Sequence, residues 1–314
     1  MTRSPAYDPA IAADVRDCLT RTPKELVPKY FYDARGSELF DQITSLPEYY
    51  PSRCEREILN RHAPQLTQGY EELVELGSGM ASKTRALLYA MAGAGSLRRY
   101  VPFDVDQSVI DGCAEELEEA YPGLEVRGVV GDFESDLGLV PPGRERLFAL
   151  LGGTIGNLHP PERAAFLARV RELMAPSDRF VIGTDLVKDR AVMVAAYDDS
   201  QGVTAEFNRN VLRVLNENLG ADFDVSAFEH VALFDEENSW IEMRLRATTA
   251  QHVCVPGAEI EVDFAEGEEM RTEISTKFTP DAVEAEMRDA GLVLDELLTD
   301  DDGLYGLVVA SRAG

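Results

Sequence analysis

The clearest chemical signal in this sequence is a glycine-rich segment that follows an apolar run. Residues Leu73–Thr84 predict a short strand, then Gly77-Ser-Gly79, then the start of a helix. Glycines let the backbone adopt positive φ and approach a ligand, and a helix N-terminus offers free N–H groups. The dinucleotide-binding fingerprint needs a glycine where Ser82 stands, and Lys83 does not follow the second glycine of a P-loop. The segment therefore indicates either a ligand site without a diphosphate or a tight strand-to-helix turn.

Acidic residues end the next two predicted strands. Asp104 lies 25 residues after Gly79, where a carboxylate can accept both hydroxyls of a ribose. Asp132 and Phe133 end the third strand, where they could bind and stack on an adenine. Each acid taken alone is more often a solvated loop residue, but ligands bind at the carboxyl ends of such strands. Together the three strand ends predict an adenosine-bearing cofactor without a diphosphate, which is S-adenosylmethionine.

A second segment of small residues, Leu151–Leu158, follows the fourth predicted strand and carries Asn157. Its place in the chain is where class I methyltransferases meet the methyl acceptor. Asn157 could equally be a turn or cap residue, a common use of asparagine.

The elements that must position these residues alternate between strands and helices. Apolar patterns predict strands at 72–76, 100–103, 125–130, 147–151 and 180–184, and helices at 83–91, 108–121 and 161–174. This alternation is typical of a mostly parallel sheet. A further helix is predicted from Thr279 and Pro280 to about Gly291, followed by strands at 292–297 and 304–310. The turn between those two strands is too short for a crossover, so one antiparallel strand is expected.

The stretch 188–276 interrupts this alternation. Residues 190–219 are predicted to form a helix, and 229–276 to form strands with turns at 236–238 and 256–257. The predicted fold class is α/β, with a Rossmann-like methyltransferase core at 54–187 and 277–314 that binds S-adenosylmethionine. A second α+β domain, at 1–53 and 188–276, is expected to bind the substrate.

The composition argues against several classes of partner. The chain has 314 residues and a formal net charge of −27, which disfavours nucleic acid and anionic membranes. Its four cysteines and four histidines lack the close spacing of metal ligands, so no metal or disulfide framework is expected. No signal peptide and no run of roughly 18 apolar residues is apparent. We expect a soluble, cytoplasmic monomer that acts on a small molecule.

At the level of whole motifs, the sequence resembles the L-histidine Nα-methyltransferases of the ergothioneine pathway. The resemblance runs along nearly the whole chain and rests on many motifs in one order. They are Phe31–Ser37, Phe40–Thr44, Leu46–Pro51, Val74–Gly79, Pro102–Asp106, Gly131–Glu134, Gly156–Leu158, Gly183–Lys188, Ala196–Asp199, Phe207–Asn210 and Glu273–Phe278.

The resemblance implies a role for particular residues of this chain. It implies S-adenosylmethionine contacts at Gly77, Lys83, Asp104, Asp132 and Phe133. It implies histidine contacts at Tyr49, Asn157, Tyr197, Glu273 and Ser275, with Tyr32 and Met243 lining the pocket. Asn157 and Tyr197 are the expected catalytic residues. The implied reaction is trimethylation of the α-amine of L-histidine to hercynine, the first step of ergothioneine biosynthesis.

The residue chemistry agrees with this implied reaction. Methyl transfer from a sulfonium needs a neutral amine held in line with the methyl group, so positioning supplies most of the catalysis. Asn157 can orient the amine, and the Tyr49 and Tyr197 hydroxyls can bind the carboxylate. Glu273 can accept an imidazole N–H while Ser275, two residues along the same strand face, holds the other ring nitrogen. Asp104, Asp132 and Glu273, with Glu75 as a further acid, would suit a cationic cofactor and an amine.

Blander and rival interpretations stay open at this point. The tyrosines could be core aromatics, Met243 a core filler and Glu273 a solvent-facing strand residue. One rival function is methylation of another aromatic amino acid such as tryptophan, for which an acid at position 273 would have no use. The other rival is a sensor or scaffold that binds an adenosine ligand without catalysis.

Overall fold

The computed structural model describes residues 7–79, 81 and 83–314. The α-helices are α1 (Pro9–Leu19), α2 (Ala34–Thr44), α3 (Tyr50–Leu66), α4 (Arg85–Gly93), α5 (Gln107–Ala120), α6 (Pro160–Leu173), α7 (Arg190–Ala195), α8 (Val203–Leu219) and α9 (Pro280–Asp289). The strands are β1 (Glu72–Leu76), β2 (Arg99–Asp104), β3 (Glu125–Val126), β4 (Val129–Val130), β5 (Arg146–Leu150), β6 (Arg179–Asp185), β7 (Phe228–Asp235), β8 (Trp240–Ala247), β9 (Gln251–Val255), β10 (Ile260–Phe264), β11 (Glu269–Thr276), β12 (Leu292–Thr299) and β13 (Tyr305–Arg312).

The chain divides into two compact units. The first contains 1–50 and 188–275, and the second contains 51–187 and 276–314. The domain bounds expected from the sequence differ from these by three residues or fewer. None of the helices in the described part of the chain is both long and apolar enough to cross a membrane.

The second unit is built on one mostly parallel sheet. Its strand order is β12-β13-β6-β5-β1-β2-β3, with β4 also paired to β2. Strands β1, β2, β5 and β6 pair in parallel, whereas β13 is antiparallel to both β6 and β12. The predicted α/β class and the single reversed strand are therefore confirmed.

The predicted strand at 125–130 was wrong as one element. The structure has two short strands, β3 and β4, separated at Arg127 and Gly128. A Cβ atom at Gly128 would lie 2.2 Å from Cγ2 of Ile110, so this backbone packs directly against α5. The close contact with the helix explains why strand pairing is interrupted here.

The C-terminal helix begins as its sequence predicts. The Thr279 side chain accepts a hydrogen bond from the Ala282 N–H, Pro280 is the first helical residue, and Gly291 follows the C-cap with a φ of +74°. These are standard signals for the two ends of a helix. Its buried residues Val283 and Met287 join the core of the second unit.

The first unit has two small sheets and the helices α1, α2, α7 and α8. Strands β11, β8 and β7 form one sheet in that order, and β9 pairs with β10 in an antiparallel hairpin. Residues 1–6 lie outside the described residues, so the expectations for the extreme N-terminus rest on the sequence. The first 50 residues belong to this unit, and a parallel bridge joins Glu25 to Arg271 of β11.

The single helix predicted at 190–219 was wrong. Two helices, α7 and α8, are separated by a loop in which the Asp199 carboxylate accepts the N–H groups of Gln201, Val203 and Thr204. Gly202 precedes α8 with a φ of +73°. The first N–H groups of a helix have no partner within that helix. A carboxylate that accepts them therefore marks the start of a new helix, here α8.

Candidate active site

The glycine segment forms a tight loop after β1. The N–H groups of Gly77 and Ser78 donate to the Phe103 carbonyl at 2.8 and 3.1 Å, and Gly77 and Gly79 have φ values of +71° and +48°. The Gly79 N–H donates to Oδ2 of Asp104 at 2.8 Å. The structure thus brings Gly77 and Asp104 together at the carboxyl ends of adjacent strands.

Phe133 lies beside the same loop. A Cβ atom at Gly77 would be 3.8 Å from Cε1 of Phe133, whose ring also packs edge-on against Phe166 at 5.6 Å between centroids. Asp132 Oδ1 accepts the Glu134 N–H at 2.9 Å, which shapes the turn after β4. Positive-φ glycines, an adjacent carboxylate and an aromatic face fit the adenosine part of S-adenosylmethionine.

Lys83 contacts a residue that the sequence analysis did not identify. Its Nζ lies 2.7 Å from Oε2 of Glu55, a completely buried residue of α3. The same carboxylate accepts the Gly152 N–H at 2.8 Å and the Tyr305 hydroxyl at 3.0 Å. Glu55 therefore connects Lys83 with the segment that leads to Asn157.

Glu75 does not face a ligand, contrary to expectation. It is buried, and its carboxyl accepts hydrogen bonds from the hydroxyls of Thr84 and Tyr100. Burial raises the pKa of Glu75 to about 7, against the opposing effect of those two hydrogen bonds. Its neighbours in the strand, Val74 and Leu76, are buried as well. The residue types alone did not indicate that the Glu75 side chain shares this interior position.

Asn157 ends a short 3₁₀ turn, Thr154–Asn157, after β5. The two glycines before the turn, Gly152 and Gly153, have φ values of +82° and +73°, which favour glycine. Asn157 is half-buried, and within the described part of the chain no hydrogen-bond partner is found for its side-chain amide. The amide is therefore available to a ligand.

In the first unit, three of the predicted substrate residues are in contact or close to it. The Tyr197 hydroxyl donates to Oγ of Ser275 at 2.7 Å, and the Tyr49 and Tyr197 rings lie 6.2 Å apart between centroids. Tyr49 is in turn 6.1 Å from Phe40. The structure thus brings Tyr49, Tyr197 and Ser275 together.

Tyr32 and Glu273 belong to the same neighbourhood. Tyr32 is 44% exposed, yet desolvation of its hydroxyl, followed by the Glu273 carboxylate and Tyr197, raises the pKa of Tyr32 above its ordinary value. The Glu273 carboxylate is therefore close enough to the Tyr32 hydroxyl for its charge to affect that group.

Met243 is 2% exposed on β8, and its carbonyl accepts the Thr272 hydroxyl at 3.0 Å. Its side chain belongs to the buried interior of the first unit. This placement agrees with a core filler, and the lining role of Met243 stays a prediction.

A buried hydrogen-bond chain behind Tyr197 was missed by the sequence analysis. His230 Nε2 lies 2.8 Å from the Tyr197 carbonyl, and its Nδ1 lies 2.8 Å from Nδ2 of Asn208. Asn208 Oδ1 accepts the Thr272 hydroxyl at 2.7 Å. Burial lowers the pKa of His230, which favours a neutral ring that donates to Tyr197 and accepts from Asn208. Asn208 lies in one of the motifs that carry the family resemblance, and this was the available signal.

One group of side chains in the described ranges has donor atoms close enough to hold a metal ion. Atoms of His252, Cys254 and Glu261 lie within 4.8 Å of one another on the β9–β10 hairpin. None of the predicted site residues belongs to this group.

The predicted residues therefore fall into two sets. The second unit carries the cofactor residues and Asn157, and the first unit carries the other substrate residues. The cofactor set is Gly77, Lys83, Asp104, Asp132 and Phe133, and the substrate set of the first unit is Tyr32, Tyr49, Tyr197, Met243, Glu273 and Ser275.

The chain is similar to known proteins along nearly its whole length. The family model described as "Histidine-specific methyltransferase, SAM-dependent" matches residues 11–312. The histidine N-alpha-methyltransferase of Mycolicibacterium smegmatis is 53% identical over 305 residues, which are 96% of this chain and 95% of that protein. Ergothioneine biosynthesis protein 1 of Neurospora crassa is 31% identical over 205 residues, covering 63% of this chain and 23% of that protein.

The fold is shared with a solved S-adenosylmethionine-dependent methyltransferase from Clostridium acetobutylicum. The TM-score is 0.50 at 10% sequence identity, with 89% of this chain and 98% of that chain covered. Because the family model spans nearly the whole chain, the protein belongs to the histidine-specific, S-adenosylmethionine-dependent methyltransferase family.

Proposed function

We propose that this enzyme transfers three methyl groups in succession from S-adenosylmethionine to the α-amine of L-histidine. The product is the betaine hercynine, and the reaction is the first step of ergothioneine biosynthesis. The observation that carries the proposal is the substrate set of the first unit, where Tyr197 donates a hydrogen bond to Ser275 and Glu273 lies two residues before Ser275 on the same strand. The names of the two relatives described above point the same way.

The substrate set suits a zwitterion with an imidazole side chain. Glu273 is an acceptor for an imidazole N–H, and Ser275 can bond to the other ring nitrogen. The Tyr49 and Tyr197 hydroxyls can donate to the α-carboxylate, and neither adds the positive charge that an arginine would. A nearby cation would disfavour the growing ammonium group of the product.

The cofactor set suits a cationic ligand in the second unit. S-Adenosylmethionine supplies an electrophilic methyl group on a sulfonium. Asp104 would hold the ribose hydroxyls, Asp132 and Phe133 would bind the adenine, and Gly77 and Lys83 would contact the rest of the ligand.

Asn157 has the main catalytic role in this proposal. In the first two transfers its amide oxygen would accept one amine hydrogen and so aim the nitrogen lone pair along the line of methyl transfer; the tertiary amine of the third transfer has no N–H and is held by the other substrate contacts alone. The reaction then needs no covalent intermediate, because alignment of the two reactants lowers the barrier. The first and second transfers each leave a protonated amine, which must release one proton to solvent before the next methyl group can be accepted; the third leaves a quaternary ammonium with no proton to lose.

We further propose that the enzyme acts as a cytoplasmic monomer. The net charge of −27 disfavours binding to nucleic acids and to anionic membranes.

Mass spectrometry of the reaction products tests the proposed reaction. We expect L-histidine incubated with enzyme and S-adenosylmethionine to gain up to three methyl groups on its α-nitrogen. No gain on histidine together with gain on another amine would overturn the choice of substrate.

The alternative substrate is another aromatic amino acid such as tryptophan. Glu273 favours histidine, because Glu273 and Ser275 together offer partners for both ring nitrogens of an imidazole, whereas an indole ring has a single nitrogen. Replacing Glu273 by Ala distinguishes the two substrates. Turnover of histidine should fall sharply, whereas turnover of an indole substrate should change little.

A further inference from the structure

Glu55 is a buried charged residue without a role in the reaction described so far. It has no exposed surface, whereas its partner Lys83 keeps 17% of its side chain exposed. Glu55 therefore cannot touch a ligand, but Lys83 can. A buried carboxylate is costly unless its oxygens are fully bonded, so each of its partners matters.

The partners of Glu55 come from separate segments of the second unit. Lys83 follows β1, Gly152 follows β5, and Tyr305 begins β13. The Gly152 N–H lies within 2.8 and 3.0 Å of the two carboxylate oxygens, so it is held by both. One carboxylate thus fixes the ammonium of Lys83 and the start of the segment that ends at Asn157.

The surrounding residues leave room for the carboxylate and for nothing larger. A Cβ atom at Gly183 of β6 would lie 2.1 Å from Oε1 of Glu55 and 2.4 Å from the Tyr305 hydroxyl. The absence of a side chain at Gly183 therefore admits both groups. Main-chain and side-chain donors converge here on a single acceptor.

We propose that Glu55 is a positioning residue for methyl transfer. It holds the Lys83 ammonium in place for the cofactor, and it holds Gly152 so that the following turn presents Asn157. Both effects rest on the proposed function: the first on the cofactor contact of Lys83, and the second on the role of Asn157 in orienting the amine.

The test is the variant Glu55→Gln in the full-length enzyme. Glutamine has the same shape, but its amide nitrogen must face either the Lys83 ammonium or the Gly152 N–H, which are both donors. We expect the affinity for S-adenosylhomocysteine, measured by calorimetry, to fall roughly 10- to 100-fold, the range for a lost hydrogen bond to a charged group. We also expect kcat at saturating substrates to fall.

Asp178→Asn is the matched control. Asp178 is equally buried in the same unit, and it accepts from the Arg146 side chain, the Arg146 N–H and the Ala175 N–H. It lies at the opposite ends of the same strands, just before β6. This variant should lose a similar amount of thermal stability while its affinity for S-adenosylhomocysteine stays as in the wild type.

Lys83→Ala tests the route through which Glu55 acts. If Glu55 acts on the cofactor through Lys83, the double variant should bind S-adenosylhomocysteine no more weakly than Lys83→Ala alone. Lys83→Ala should leave kcat higher than Glu55→Gln does, because it keeps the bond to Gly152. If Glu55→Gln does not fold, Tyr305→Phe removes one donor to the carboxylate and should weaken cofactor binding a few-fold.

Wild-type affinity and kcat in Glu55→Gln would overturn the proposal. So would additive losses in the double variant, or equal losses of affinity in Glu55→Gln and Asp178→Asn. Because S-adenosylhomocysteine binding does not involve the amino acid, a wrong choice of histidine as substrate would remove the kcat result and leave the affinity result intact.

Discussion

The two units hold their predicted ligand residues by different kinds of interaction. In the second unit the contacts are ionic or use backbone N–H groups, as in the Glu55–Lys83 pair and the bond from Gly79 to Asp104. In the first unit they are neutral, as in the bond from Tyr197 to Ser275 and the chain through His230 and Asn208. Charged groups and backbone N–H groups thus hold residues predicted to bind the cofactor, whereas neutral hydrogen bonds hold Tyr197, which is predicted to bind the amino acid.

Aromatic packing surrounds the predicted substrate tyrosines of the first unit. Phe207 stacks on Phe31 at 4.7 Å and lies within 5.9 Å of both Tyr32 and Phe40 between ring centroids. Such pairs contribute about 0.5–1.5 kcal/mol each beyond the burial of their surface. Tyrosine hydroxyls held by packed rings need no ionic partner to keep their direction.

The largest expected effect is on the one carboxylate of the substrate set. Glu273→Gln should lower kcat/KM for histidine roughly 10- to 100-fold, because the imidazole loses a hydrogen bond to a charged acceptor, which is worth about 1.5–3 kcal/mol. Steady-state kinetics measures this. Glu269→Gln, on the same strand and paired with Arg244 and Arg246, is the control. Equal activity losses in both variants would remove the special role of Glu273.

The next prediction concerns a substitution that disturbs the ionic contacts of the second unit by steric crowding. Gly183→Ala places a methyl group against Glu55 and Tyr305 and should reduce the free energy of unfolding by about 1–3 kcal/mol. Affinity for S-adenosylhomocysteine should fall as well. Gly93→Ala is the control, since a Cβ atom there has no neighbour within 4 Å. Denaturant unfolding and calorimetry report both quantities, and an unaltered Gly183→Ala enzyme would contradict the crowding.

A third prediction concerns pH and the buried carboxyl of Glu75. Burial raises the pKa of Glu75 from an ordinary 4.5 to about 7 in the folded protein. A raised folded-state pKa gives stability that is present below pH 4.5 and is lost as the pH rises through about 7. Glu75→Gln stays neutral, so its free energy of unfolding should decline less than that of the wild type over this range. Parallel declines, measured by denaturant unfolding at several pH values, would show that Glu75 ionises normally.

The smallest effect tests the neutral chain of the first unit. His230→Gln keeps a side-chain donor for the Tyr197 carbonyl but not the ring shape, so KM for histidine should rise only a few-fold, with kcat nearly unchanged. Because the pKa of His230 is lowered, the unfolded chain takes up a proton first, and wild-type stability should fall as pH drops below 6.5. The variant should lack this part of the decline. A large loss of kcat would instead place His230 closer to the chemistry.

The sequence predicts the frame of the second unit well, since its signals are local. The Thr279-Pro280 helix start, the apolar strands and the short turn before β13 each act within a few residues. The break between α7 and α8 was missed because apolar spacing continues across it. The string from Asp199 to Gly202, a carboxylate followed by a glycine, was the local sign of that break.

The residues that hold the site are harder to predict than the residues within it. Glu55 contacts Gly152 across 97 positions of sequence, inside a helix whose pattern gives no sign of a buried charge. The family resemblance identifies Lys83 and Asn157 one residue at a time. It does not show that the Glu55 carboxylate connects their segments, because that contact depends on three-dimensional packing. Likewise Glu75 looks like a ligand acid until Thr84 and Tyr100 are seen to enclose it.

Calorimetric titration of amino acids into enzyme saturated with S-adenosylhomocysteine tests the central claim most directly, because it reports the substrate without depending on turnover. We expect L-histidine to bind, L-tryptophan to bind much more weakly, and Glu273→Gln to abolish most of this difference. Equal or tighter binding of L-tryptophan, or no binding of L-histidine, would contradict it.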